Sequence, residues 1–260
     1  MTPTERFTEL VRGPEADLAL DEAALLIAAH AHPDADPAAS LAELDRLAQG
    51  VAGKDLSGLL QRIYGQEGFA GNREDYYNPE NSYLDTVLQR RRGIPISLAV
   101  VTIEVGRRCG VELVGVGMPG HFLCATVGPE PMYIDAFEGG VLLDQLGVTQ
   151  RFAAMTGGQQ LDPTLLGPLG PRAMLTRMLT NLGGIARQRK DHQLLQWVLQ
   201  LRAVIPSRSL PERRDLASAL VGSGRFDEAA DVLEGLADDV GAPPDHEIRR
   251  QARSLRARLN

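Results

Sequence analysis

The stretch GIPISLAVVTIEVGRRCG, residues 93–110, constrains this chain more than any other. Read as a helix from Ile96 to about Arg108, it is apolar on nearly every face, so protein must cover it on most sides and it must stand at the centre of its domain. Pro95 suits the first turn of such a helix, where a missing N–H costs nothing. Immediately afterwards the hydrophobic period changes to two. VELVGVGM, HFLCATVG and MYIDAFEGGVLLD are short, rich in β-branched or aromatic residues, and separated by PG, GPEP and EGG, the pattern of antiparallel strands joined by tight turns. One enclosed helix on one antiparallel sheet predicts an α+β core.

The segments on either side read as helices. From residue 4 to about 70, Leu18, Leu20, Ala23, Leu26 and Ile27, then Leu41, Leu44 and Leu47, fall at helical spacing. A polar, aromatic loop follows, GFAGNREDYYNPENSYLDTVL, in which Phe69, Tyr76, Tyr77 and Tyr83 can act as anchors; Tyr83 to Arg91 then reads as a short helix. From about residue 171 the chain is helical again. A 34-residue shift lays residues 181–201 over 215–235, matching Leu182 with Leu216, His192 with Phe226, Leu195 with Ala229 and Leu199 with Leu233, which is the tetratricopeptide period. Two copies are fewer than such repeats need alone, so they should dock on the core domain. The expected division is a core domain over 1–165 with a helical N-terminal layer, and a tetratricopeptide-like helical region over 166–260.

A formal net charge of −7 excludes a general nucleic-acid binder, because phosphate neutralisation needs a basic surface. The opening MTPTERFTELVRG lacks the apolar segment of a signal peptide, and no run approaches a membrane span, which points to the cytoplasm. Cys109 and Cys124 are too few for a disulfide framework and are expected as reduced, buried thiols. HAHPD (His30, His32, Asp34) has the look of a metal triplet but reads better as a helix-terminal turn, and neither metal nor cofactor is expected.

His121 and Asp135 are the pair that can carry chemistry. If the hairpin between them has an odd-length loop, so that Val127 faces Pro131, the two project from one sheet face as diagonal neighbours. A carboxylate beside an imidazole orients it and favours its cation, which is the base and orienter of a catalytic triad without the nucleophile. Ser97, near the start of the central helix, is the candidate to complete it, against the reading that its hydroxyl satisfies an orphan amide of the first turn. Cys124, three residues from His121 on one strand, should face the opposite way. Around this pair, Asn78 and Asn81 can cap and brace the aromatic loop, Tyr77 belongs to the same loop, and Arg91 can meet an anionic ligand or a structural carboxylate.

NPENSYLDTVLQRRRGIPISLAVVTIEVGRRCGVELVGVGMPGHFLCATV, then YIDAF, then repeat-like helices, resembles the transglutaminase-like family typified by the bacterial SirB invasion-regulator protein. The resemblance covers most of the chain and implies a papain/transglutaminase-like core. Active members carry a Cys at the start of the central helix, then a His and an Asp on consecutive strands. His121 and Asp135 occupy the last two positions, while Gly93 and Ala99 frame the helix start and Pro95 stands at the cysteine position. Proline supplies neither a nucleophile nor a backbone donor for an oxyanion. The expectation is therefore a non-catalytic binding or regulatory module, with a protein or peptide partner on the repeat surface. The alternative is an amide or thioester hydrolase or acyl transferase using Ser97, His121 and Asp135.

Overall fold

A computed structural model describes residues 1–206 and 210–257. The N-terminal layer is helical: α1 (Pro3–Arg12), α2 (Leu20–Ala28), α3 (Pro37–Gln49) and α4 (Leu56–Leu60), which runs on into a wider turn over Gln61–Gln66. Their starts carry the expected chemistry. Thr2, Asp36 and Asp55 each accept a first-turn backbone N–H, and Pro3 and Pro37 occupy positions whose own N–H would be unpaired. The aromatic loop is tied down by a parallel two-residue pairing of β1 (Ala70–Gly71) with β2 (Arg92–Gly93), and α5 (Leu84–Arg90) lies between them.

The central helix, α6, spans Pro95–Cys109, and all but two of its residues, Arg107 and Arg108, are buried. Gly110, at φ +83, ends it in the left-handed conformation that glycine adopts without penalty. The main sheet follows, with β3 (Leu113–Met118), β4 (His121–Thr126), β5 (Tyr133–Asp135) and β6 (Val141–Leu143); β7 (Pro168–Leu169) joins later. All neighbours are antiparallel, in the order β6-β5-β4-β3-β7. Between β6 and β7 the chain forms α7 (Gln145–Thr156), capped by Asp144 and ended by Gly157 at φ +72.

The sheet separates two cores. Phe122, Cys124 and Ile134 face α6 and the N-terminal helices in the large core, whereas Leu123, Ala125 and Tyr133 pack with Val148 and Phe152 of α7 in a smaller one. Strand alternation accounts for the split, because successive side chains leave a strand on opposite faces. α7 is an element that the pattern of the sequence did not announce, although an N-cap Asp144 and the Gly157-Gly158 stop are both legible there.

The C-terminal helices are α8 (Pro171–Arg189), α9 (His192–Val204), α10 (Leu210–Gly222), α11 (Phe226–Asp239) and α12 (Glu247–Arg256). Met174, Leu175, Met178, Leu179 and Leu182 of α8, with Leu194, Val198 and Leu201 of α9, belong to the large core, so a cut at residue 165 passes through one hydrophobic body. A third core joins Leu199 of α9 to α10, α11 and α12. Among the described residues, no helix is long and apolar enough to cross a membrane.

Candidate functional site

Cys124 pairs with Ile134, and Ala125 with Tyr133. This register carries Val127 opposite Pro131, which sets His121 and Asp135 on the same sheet face as diagonal neighbours. That face is the one turned to α7. His121 Nε2 lies 2.8 Å from Asp135 Oδ2, with the carboxylate fully buried and the imidazole nearly so. Asp135 Oδ2 also accepts from Arg151 of α7, and Oδ1 accepts the Glu138 backbone N–H at 3.1 Å. Burial alone would push the Asp135 carboxyl up, but the hydrogen bond and charge of His121, then Arg151 and the Glu138 amide, hold it below the usual range. An ionised carboxylate only accepts, so Nε2 of His121 is the donor in this pair. Phe137 stands edge-on to the imidazole with ring centroids 6.3 Å apart, and fixes its plane.

In front of the ring is a cavity of about 790 Å³, lined among others by Tyr76, Pro95, His121, Glu138, Gln150 and Arg151. Pro95 and His121 thus share one space, the first turn of α6 on one side and the start of β4 on the other. Among the described residues, the lining contains no Ser, Thr, Cys or Lys. It does contain the phenol of Tyr76, and burial raises the pKa of that phenol, away from the phenolate.

Ser97 is not part of this space. It is fully buried, its hydroxyl accepts the Ile94 N–H at 3.0 Å and donates to the Asn81 carbonyl at 2.6 Å, so it serves the first turn of α6 instead of His121. Asn81 in turn donates from its amide to the carbonyl of Asp75 at 2.6 Å and accepts from Asn72 at 2.9 Å, fastening the aromatic loop to the helix start. Asn78 caps the short turn after it, accepting the Glu80 N–H at 3.0 Å and donating to Asp75 at 2.9 Å. Tyr77 is largely exposed, edge-on to Tyr76. Arg91 sits elsewhere. It ends α5 with φ +56, lies over the Phe69 ring at 4.8 Å, and bridges Glu43 and Glu67, where Arg46 also binds. Of the residues singled out from sequence, His121, Asp135 and Pro95 come together, and Ser97, Asn78, Asn81, Tyr77 and Arg91 do not line the cavity.

Cys124 faces α6, its Sγ 3.7 Å from the Ala99 carbonyl, and burial followed by the charge of Asp135 pushes its thiol far above the ordinary value. Cys109 is also buried, with Sγ 3.4 Å from the Gly106 carbonyl. His30 bonds Thr4 and stacks on Trp197, while His32 bonds Asp85 at 2.7 Å and Glu80 at 3.2 Å through its two different nitrogens. Among the described residues, no three His, Cys, Asp or Glu side chains are grouped to hold a metal ion.

Residues 18–180 match the family model described as the transglutaminase-like superfamily. The chain belongs to the transglutaminase-like superfamily. The matched span contains α6, the sheet and α7, and therefore the whole His121 cavity. A UPF0162 protein of Xylella fastidiosa is 41% identical over 128 residues, 47% of this chain and 46% of the relative, so the match spans about half the length of that relative. A UPF0162 protein of Pasteurella multocida is 27% identical over 188 residues, 72% of this chain and 71% of the relative. F-box only protein 21 of Mus musculus is 35% identical over 147 residues, 54% of this chain and 23% of the relative. No solved structure matches the chain.

Proposed function

We propose that this chain is a non-catalytic binding module of the transglutaminase-like superfamily, of the SirB type. Its His121–Asp135 pair orients a ligand in the cavity and does not activate an attacking side chain. One observation carries the reading: Pro95, which has neither a nucleophile nor an N–H, stands at the helix start that shares the cavity with His121. The Ser97 alternative, a hydrolase or acyl transferase, loses support because the hydroxyl is spent inside the first turn, where it has no hydrogen bond to the imidazole it would need.

The C-terminal helices serve in this reading as a tetratricopeptide-like surface for a protein or peptide partner. In support, α9 begins at His192 and α11 at Phe226, the residues that the 34-residue shift superimposes, and the matched Leu199 and Leu233 are both buried. The test is chemical. Purified chain is treated with a serine-directed fluorophosphonate, and assayed against peptide amides and acyl thioesters beside its His121→Ala variant. The expected result is no label at Ser97 and no turnover that depends on His121; a labelled Ser97, or activity lost with His121→Ala, defeats the proposal.

A further inference from the structure

The motif HAHPD holds two histidines that the fold treats in opposite ways. His30 Nδ1 bonds the Leu26 carbonyl at 2.8 Å and its Nε2 the Thr4 hydroxyl at 2.9 Å, partners that a neutral ring satisfies, and burial lowers its pKa. His32, in the connection between α2 and α3, sets each ring nitrogen against a carboxylate: Nδ1 lies 2.7 Å from Asp85 Oδ2, and Nε2 lies 3.2 Å from Glu80 Oε1. A carboxylate offers only lone pairs, so both nitrogens must donate, and only the imidazolium can do that. Burial alone would lower the His32 pKa, but the hydrogen bond and charge of Asp85, then those of Glu80, raise it above the ordinary histidine value. Tyr83 stands edge-on to the ring at 5.1 Å as a neutral phenol, since burial, then the charges of Glu80, Asp191 and Asp85, push its pKa up against the opposing charge of Arg189. Arg90 of α5 approaches Glu80 at 3.8 Å. On the α3 side, Asp36, Glu43 and Arg91 share with Asp85 a hollow of about 430 Å³ in which Glu43 and Arg91 pair with each other, and Asp34, on the same connection as His32, is exposed.

Glu80 belongs to the turn Pro79–Ser82, and Asn81 beside it supports two walls of the His121 cavity, Tyr76 and Pro95. The Asn81 side-chain amide donates to the Asp75 and Tyr76 carbonyls at 2.6 and 3.2 Å, and its backbone carbonyl accepts the N–H of Ile94, the residue before Pro95, at 3.3 Å. Taking one proton from His32 turns a ring lone pair toward a carboxylate oxygen and replaces an attraction by a repulsion. We propose that His32 is a proton-operated clamp, which as imidazolium fastens the α2–α3 connection to the turn of Glu80 and Asn81, and on losing its proton frees that turn and the Tyr76 and Pro95 walls that hang from it. The hold is complete below the ordinary histidine value and is lost as pH rises through the higher folded one. This device goes beyond the binding reading and does not depend on what the cavity takes.

NMR of the intact chain tests it in two steps. Ring-nitrogen spectra across a pH series should show His32 losing its proton above the ordinary histidine value and His30 below it, so that the two rings of one motif titrate on opposite sides. Amide-exchange protection factors at Asn81, Tyr83 and Ile94, compared at about pH 6 and about pH 9, should fall about threefold or more on the alkaline side, the effect of losing one partly exposed ion pair. His32→Gln should show the low protection at both pH values. Glu80→Gln decides the matter even where that variant folds poorly. An amide can accept from the imidazolium or donate to the neutral ring, so protection in Glu80→Gln should stay high at both pH values while the His32 midpoint moves down. A His32 midpoint at or below that of His30, protection in the parent that ignores pH, or an alkaline loss in Glu80→Gln equal to the parent's would overturn the proposal. None of these measurements reads the chemistry at His121, so turnover found there would sink the non-catalytic reading and leave the clamp standing, and a pH-insensitive turn would do the reverse.

Discussion

Asp135 accepts from His121, from Arg151 and from the Glu138 backbone while fully buried, so its charge is the one on which the site's other polar groups depend. Because its folded pKa lies below the ordinary carboxylate value near ~4, its contribution is fully present above that value and is lost as pH falls through the folded pKa. Asp135→Asn should therefore flatten the acid limb of a stability-versus-pH profile. At neutral pH it should cost about 2–4 kcal/mol, towards the lower end for a broken buried pair because Arg151 keeps a quarter of its surface in water. Urea melts of both chains across the acid range check it. Ser97→Ala probes the opposite kind of group. Removing that hydroxyl leaves the buried Ile94 N–H with only its 3.3 Å bond to the Asn81 carbonyl, and should lower stability by about 0.5–1.5 kcal/mol without changing the pH profile.

Among the elements, α7 depends most on a single contact with the site. Val148 and Phe152 are its only residues in the small core, and Arg151 ties it to Asp135 through the sheet face. Arg151→Met should raise amide exchange in residues 145–156 well above that of α6, whose residues are almost all buried and whose exchange should stay near the parent's. The same element marks where the sequence could be read and where it could not. α6 was legible because a helix apolar on every side has one place to go, and the facing of His121 and Asp135 followed from strand parity and an odd-length turn. Arg151 was not legible, since its role comes from a helix folding back across the sheet, and that crossing has no local signature. Arg91 was ambiguous for the related reason that its partners, Glu43 and Glu67, lie far away in sequence. Ser97 could be read either way from its position, and its burial against the Asn81 carbonyl is a tertiary fact.

For the molecule as a whole, the large core runs from Phe7 of α1 through α6 to Ile205, while α10, α11 and α12 meet it through α9. A chain ending at residue 165 would expose the surfaces that Met174, Leu175, Met178, Leu179 and Leu182 cover, and is expected to be insoluble or loosely folded. One ending at 206 keeps α8 and α9, and should retain a cooperative melt and the His121 cavity, at the expense of an uncovered Leu199. Thermal melts with histidine-ring NMR on the two truncations distinguish these outcomes. The sheet itself ends in β6, whose outer row of peptide groups has no neighbouring strand among the described residues and whose Val141 and Leu142 are each more than two-fifths exposed. Such a border is adhesive, and its brevity, three residues between the Gly139-Gly140 bend and the Asp144 cap, limits the number of peptide hydrogen bonds that any further strand can form along it.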